Sequence, residues 1–167
     1  MSRTLNSIFT EINTSRVSSN GHHIDAAVVA QPITKVAVSA IIRSHGQILI
    51  GQRAKEPCQE KYAFPGGKIN FLESLQIALA REVHEETGLS INSANVKQLV
   101  TSEWIDPVDE IHCIDVLFEV VDFDGEPKAA SDMSSLQFVD AGHLADYTLT
   151  PYTYKTISDL IKIGYHF

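Results

Sequence analysis

No apolar run in this chain approaches the roughly 18 residues that span a bilayer as a helix. The longest strongly apolar stretch, Val36 to Ile42, suits a strand. Cysteine is scarce: Cys58 and Cys113 are the only two, and neither belongs to a Cys-x-x-Cys pair. That excludes a disulfide framework and fits reduced thiols in a cytoplasmic compartment. Positive charge is in deficit, with 13 Lys and Arg against 21 Asp and Glu and a net charge of −8. A net negative field repels a phosphodiester backbone, so general binding to nucleic acid is excluded. The same field repels a free nucleotide, so any phosphate substrate needs a bound metal and a few well-placed Lys and Arg. No internal repeat is visible, and the N-terminus carries no apolar secretory core.

What is present reads as one domain preceded by an arm. Residues 1–31 are rich in Ser, Thr and Asn and are expected to form an arm, with residues 32–167 as the folded domain. Ile33 to Arg43 and Ile48 to Arg53 are expected as strands of a hairpin, with Gly46 supplying positive φ in its turn. Ala54 to Tyr62 reads as a polar loop, and Phe64-Pro65-Gly66-Gly67-Lys68 as a turn. A helix is expected from the N-cap Ser74 to Thr87, closed by Gly88. Val96 to Trp104, Ile111 to Phe123 and Leu136 to Val139 read as strands, with turns at the acidic Asp106 to Glu110 loop and at Asp124-Gly125. Thr150-Pro151 opens a last helix that carries Ile157, Leu160 and Ile161 on one face. This order implies an α/β (α+β) fold, a mixed β-sheet sandwiched between helices.

The first helix is anomalous. With Leu75 as the origin and a step of about 100° per residue, Leu79 falls at about 40° and Ala78 at about 300°, an ordinary core stripe. On the same stripe Glu82 falls at about 340°, Glu86 at about 20° and Glu85 at about 280°, with Arg81, His84 and Thr87 opposite. Three carboxylates on a sheet-facing stripe repel one another and lose hydration. Either that half of the helix protrudes into water, or a cation sits there. Oxygen ligands at i, i+3, i+4 suit a hard divalent ion, Mg²⁺ or alternatively Mn²⁺.

The residues before the helix decide between these. Gly67 is followed after five residues by Glu73, and after seven more by Arg81-Glu82-Val83-His84-Glu85-Glu86-Thr87-Gly88-Leu89. This segment resembles the signature box of the Nudix hydrolase family with every fixed position filled. Chance would produce it in about 10⁻⁶ of sequences of this length. A P-loop is excluded, because Tyr62 stands where its leading glycine belongs and Ile69 where Ser or Thr belongs.

The resemblance implies that Gly67 offers its carbonyl to the metal and that Glu82 and Glu86 are direct ligands. Glu85 would be a ligand to a second metal or the base for the attacking water. Arg81 would pair with Glu73 and brace the helix carboxylates. Arg53 and Lys68 are candidates for binding substrate phosphate, and an exposed surface charge is the alternative for each. Glu126 and Asp132 are further candidates for the base. The implied activity is Mg²⁺-dependent hydrolysis of a phosphoanhydride bond in a nucleoside diphosphate linked to another moiety, such as a nucleoside triphosphate, nucleotide sugar or ADP-ribose. The alternative is a non-catalytic nucleotide-sensing module of the same family; retention of all four box glutamates argues against it. The expected partner is a small nucleotide, with no nucleic acid and no membrane; a homodimer is allowed. The branch that cleanses oxidised purines places an Asn near the start of the last helix, and none occurs at Pro151 to Tyr154. Tyr62 and Trp104 are candidates for stacking on a base, with packing at strand ends as the alternative. His84 is expected at the surface and His112 as a satisfied residue at a strand end.

Overall fold

A computed structural model describes residues 33–108 and 110–167. The arm expected over residues 1–31 lies outside the described residues. The elements are β1 Lys35–Ser44, β2 Gln47–Arg53, β3 Tyr62–Ala63, β4 Gly66–Lys68, α1 Leu75–Thr87, β5 Ser90–Ile91, β6 Lys97–Asp106, β7 Ile111–Val120, β8 Phe123–Asp124, β9 Met133–Asp140, a 3₁₀ turn Ala141–Asp146 and α2 Pro151–Lys162.

The sheet is mixed. β1 runs parallel to β7, from Lys35 opposite Cys113 to Ile42 opposite Val120, and antiparallel pairs build outward to β6 on one side and to β2, β3 and β9 on the other. The β1–β2 hairpin is paired only near its turn, at Arg43 with Ile48 and Ser44 with Gln47. Both turn residues have positive φ, His45 at 50° and Gly46 at 82°. Beyond the turn the strands splay. β4 fills the gap by pairing with Ala37, Val38 and Ser39, so the expected glycine turn is a short strand instead. This insertion carries Gly66 and Gly67, the first residue of the box, alongside β1.

Strand alternation divides the core in two. Val38, Ala40, Ile42, Val116, Phe118 and Val120 face α1 and pack with Ala78, Leu79 and Val83. Ile41, Ile48, Ile50 and Leu117 face the other way and pack with Leu160. The expected sandwich of helices around a mixed sheet is what forms. No helix among the described residues is long and apolar enough to cross a membrane.

The helix ends follow their caps. Ser74 accepts from the Ile77 N–H, and Gly88 closes α1 in the left-handed region at φ 71°. Thr150 caps α2 ahead of Pro151. Two face assignments need correction. Thr87, expected opposite the core stripe, is fully buried, because Leu79 and Val83 draw the inner face round toward it. Its hydroxyl donates back to the Val83 carbonyl. In α2, Leu160 is buried and Ile157 partly so, but Ile161 is 62% exposed. Thr153 and Thr156 take the inner positions instead, and they lie about 20° and about 40° to either side of Leu160 on the helix wheel, whereas Ile161 is about 100° away.

Candidate active site

The splayed hairpin, β4, the inner face of α1 and the start of α2 enclose one cavity of about 730 Å³. Its lining includes Arg53, Gly66, Gly67, Lys68, Glu82 and Glu86. Arg53, Gly67, Lys68, Glu82 and Glu86, singled out in the sequence as site residues, thus meet there.

Glu86 is the most constrained of them. It is 4% exposed, and its Oε2 accepts from the Gly66 N–H at 2.8 Å. Burial lifts its carboxyl to about 8, and the negative charges of Glu82 and Asp132 add to the rise, against the opposing pull of the Gly66 N–H and Arg53. Glu82 lies directly against Gly67. A Cβ at Gly67 would stand 2.5 Å from the Glu82 carboxylate. At Gly66 it would stand 2.2 Å from the Val38 carbonyl oxygen. The glycines are therefore required by close approach, of a carboxylate in one case and of β1 in the other.

Arg81 ties these groups together. Its Nε and Nη2 each donate to a different oxygen of Glu73 at 2.8 Å, a bidentate pair. Nη1 donates to Glu82 at 2.7 Å and to Glu85 at 3.3 Å, and Nη2 also reaches the Lys68 carbonyl at 3.0 Å. The guanidinium and the Asn70 N–H hold the Glu73 carboxyl down at about 2. One cation thereby connects the loop before α1 to two carboxylates on the helix.

Glu85 behaves differently. Its side chain is 49% exposed, turned toward Arg81 and away from the cavity. The expected convergence of Glu82, Glu85 and Glu86 on a single point is not the arrangement seen. Among the described residues, no three His, Cys, Asp or Glu side chains stand close enough to enclose a metal ion. The wheel gives the reason: Glu85, at about 280°, lies at the rim of an inner face that Leu79 and Val83 shift toward Thr87.

Of the other candidates, Arg53 donates from Nε to the Pro57 carbonyl at 2.9 Å and borders the cavity. Asp132 also borders the cavity and pairs with Lys55 at 2.9 Å. Glu126 is exposed and does not line the cavity. Tyr62 packs edge-on against Tyr147 with ring centres 5.0 Å apart, so it serves the core, whereas Trp104 lines the cavity. His84 is exposed. His112 sits between Thr34 and Glu103 at 3.0 Å each, the satisfied strand end expected of it.

Sequence reasoning passed over the other end of the cavity. Ser39, Cys113 and Asp115 line it, as do Tyr152, Thr153 and Thr156 of α2. One signal was available: Asp115 interrupts the apolar core of Ile111–Val120 in mid-strand. Ser39 donates to its Oδ2 at 2.6 Å, and burial lifts its carboxyl to about 6 despite that bond.

Residues 33–160 match the NUDIX domain. An ADP-ribose pyrophosphatase of Methanocaldococcus jannaschii is 33% identical over 109 residues, covering 65% of this chain and 63% of the relative. A putative 8-oxo-dGTP diphosphatase 2 of Mycobacterium tuberculosis is 30% identical over 129 residues, covering 76% and 87%. Among solved structures, a MutT NUDIX hydrolase from Burkholderia pseudomallei superposes with a TM-score of 0.67 at 25% identity, covering 75% of this chain and 97% of that one. The chain spans less than two thirds of the length of the first curated relatives it matches, 63% of the archaeal one and 19% of a putative nudix hydrolase 1 of Caenorhabditis elegans. The chain belongs to the NUDIX family.

Proposed function

We propose that this NUDIX protein is a Mg²⁺-dependent hydrolase that cleaves a phosphoanhydride bond in a nucleoside diphosphate linked to another moiety. The observation that carries the reading is Glu86. It is a carboxylate buried on the inner face of a helix, beside Glu82, with a single backbone donor to satisfy it. A buried carboxylate next to another is costly unless a cation is shared between them.

The donor set fits a hard divalent ion. The Gly67 carbonyl, Glu82 and Glu86 would hold it, all through oxygen. Glu82 packs closely on Gly67, and both residues line the cavity. Divalent ions are general in this family, and Mn²⁺ is the alternative to Mg²⁺. When bound, the ion supplies neutralisation of the bridging phosphates and a more acidic water. Arg81 fixes the Glu82 carboxylate through Nη1 while its other nitrogens grip Glu73, so the ligand is oriented before substrate arrives. Arg53 and Lys68 border the same cavity and would bind the phosphates. Glu85 would take the proton of the attacking water after turning inward from Arg81, and Asp132, already on the cavity wall, is the second candidate for that step.

We assign this activity to residues 32–167, in a cytoplasmic compartment that suits two unpaired thiols, with a homodimer as an allowed assembly. The test is phosphate release by the purified protein with Mg²⁺ across nucleoside triphosphates, oxidised dGTP, ADP-ribose, NADH, sugar nucleotides and dinucleoside polyphosphates. Metal-dependent turnover of one member, lost in Glu86→Gln, is the expected result. Silence across the panel with nucleotide binding intact would overturn it in favour of a sensing module.

A further inference from the structure

The cavity has two chemically different ends. One holds the box glutamates. The other is a slot between the sheet and α2, where Asp115 and Trp104 stand on neighbouring strands and Thr153 and Thr156 form the opposite wall. Asp115 pairs across the sheet with Ser102, and Trp104 lies two residues further along the same strand, so both side chains leave the same face. A flat ring lying beside the indole would bring its edge to the carboxylate.

Ser39 fixes the Asp115 carboxylate by donating to Oδ2 at 2.6 Å. What remains for a ligand is a pair of acceptor oxygens in one plane. Two acceptors side by side match two donors side by side. A guanine edge offers a ring N–H next to an amino group. An adenine edge offers one donor next to one acceptor, and a hypoxanthine edge offers the ring N–H alone.

We propose that Asp115 is the specificity residue of this cavity, selecting nucleotides whose base presents adjacent N–H donors, the guanine class, over adenine nucleotides. This rests on the reading that the cavity takes a nucleotide, but not on hydrolysis. Ser39 acts through Asp115 as its positioning residue.

The experiment is calorimetric titration of the full chain at pH 8, in the presence of Mg²⁺, with GMP, IMP and AMP, none of which has an anhydride bond to cleave. Asp115 is ionised at that pH, since burial lifts it only to about 6. GMP should bind about tenfold or more tighter than AMP, the discrimination expected of a bidentate base contact, with IMP between them. In Asp115→Asn the amide offers one acceptor and one donor, so the preference should vanish or turn toward AMP. Equal affinities in the unmodified protein, no binding of any of the three, or a preference that survives in Asp115→Asn would each overturn the assignment. The unmodified series decides the matter even if the variant does not fold. Because no step requires turnover, failure here is distinct from failure of the hydrolase reading.

Discussion

The two helices press on opposite faces of one sheet, and both break the rule that an inner face is apolar, but in different ways. α1 turns Glu82 and Glu86 inward. α2 turns Thr150, Thr153 and Thr156 inward. Thr150 and Thr153 satisfy one another: their Oγ1 atoms are 2.7 Å apart, and the Thr153 N–H donates to Thr150. Glu82 and Glu86 take their donors from outside the pair, Glu82 from the Arg81 guanidinium and Glu86 from the Gly66 N–H. One helix therefore carries polar groups that are complete within the chain. The other carries carboxyl groups, whose burial beside one another is costly unless a cation is shared between them. Chemistry is to be sought at the helix with the acidic inner face, and shape selection at the one with the neutral inner face.

The largest effect should come from removing charge on α1. Glu86→Gln keeps the volume and the acceptor for the Gly66 N–H, but removes the carboxylate. Turnover should fall at least about a hundredfold, close to about 2.7 kcal/mol of transition-state stabilisation. The fold should survive, since the amide keeps the volume and the Gly66 contact of a carboxyl that burial already pushes up to about 8. Adding Mg²⁺ should raise the melting temperature of the unmodified protein and leave that of Glu86→Gln unmoved. Full activity in the variant, or equal thermal response to Mg²⁺, would erase the difference drawn between the helices.

The next effect concerns the sheet between them. Asp115 titrates at about 6 when folded, lifted by burial, with the Ser39 hydrogen bond opposing. An unfolded Asp titrates at about 3.9. The folded chain therefore holds this proton more tightly. Its contribution to stability is full below about pH 4 and is lost as pH rises through about 6. Asp115→Asn lacks that loss, so its stability relative to the unmodified protein should improve by roughly 2 kcal/mol between about pH 4 and pH 7. Denaturant titrations at the two pH values measure it. A constant difference would mean that Asp115 is effectively solvated.

Most of the α1 side was legible in the sequence, because its information is local. Ser74, Gly88 and the spacing from Gly67 to Leu89 lie within one stretch of chain, and cap chemistry and helical period read them directly. The outward turn of Glu85 was not legible, because it depends on how far Leu79 and Val83 rotate the helix against Val38 and Phe118. The slot was less legible still. Ser39, Trp104 and Asp115 come from three strands, and only the parallel pairing of β1 with β7 and the register of β6 bring them together. A lone Asp in an apolar strand marks that something is there, but not what faces it. Ile161 failed for the same reason: periodicity gives a face, and tertiary packing decides which way it points.

Two smaller predictions sharpen the contrast between a helix braced from outside and one satisfied from within. Arg81 connects Glu73, Glu82, Glu85 and the Lys68 carbonyl, so Arg81→Ala should lower both melting temperature and turnover. In a double-mutant cycle, adding Glu73→Gln to Arg81→Ala should cost less than Glu73→Gln alone, because the pair is already broken. Strict additivity would refute the brace. On α2, Thr156→Val keeps the shape and removes one buried hydroxyl, and stability should shift by no more than about 1 kcal/mol. Turnover should hold within about twofold, since a shift that small in a wall residue is worth only a few tenths of a kcal/mol at the reacting bond. A loss of activity comparable to that of Glu86→Gln would mean that the threonine face takes part in the chemistry, and that the division between the two helices is not the one drawn from their burial.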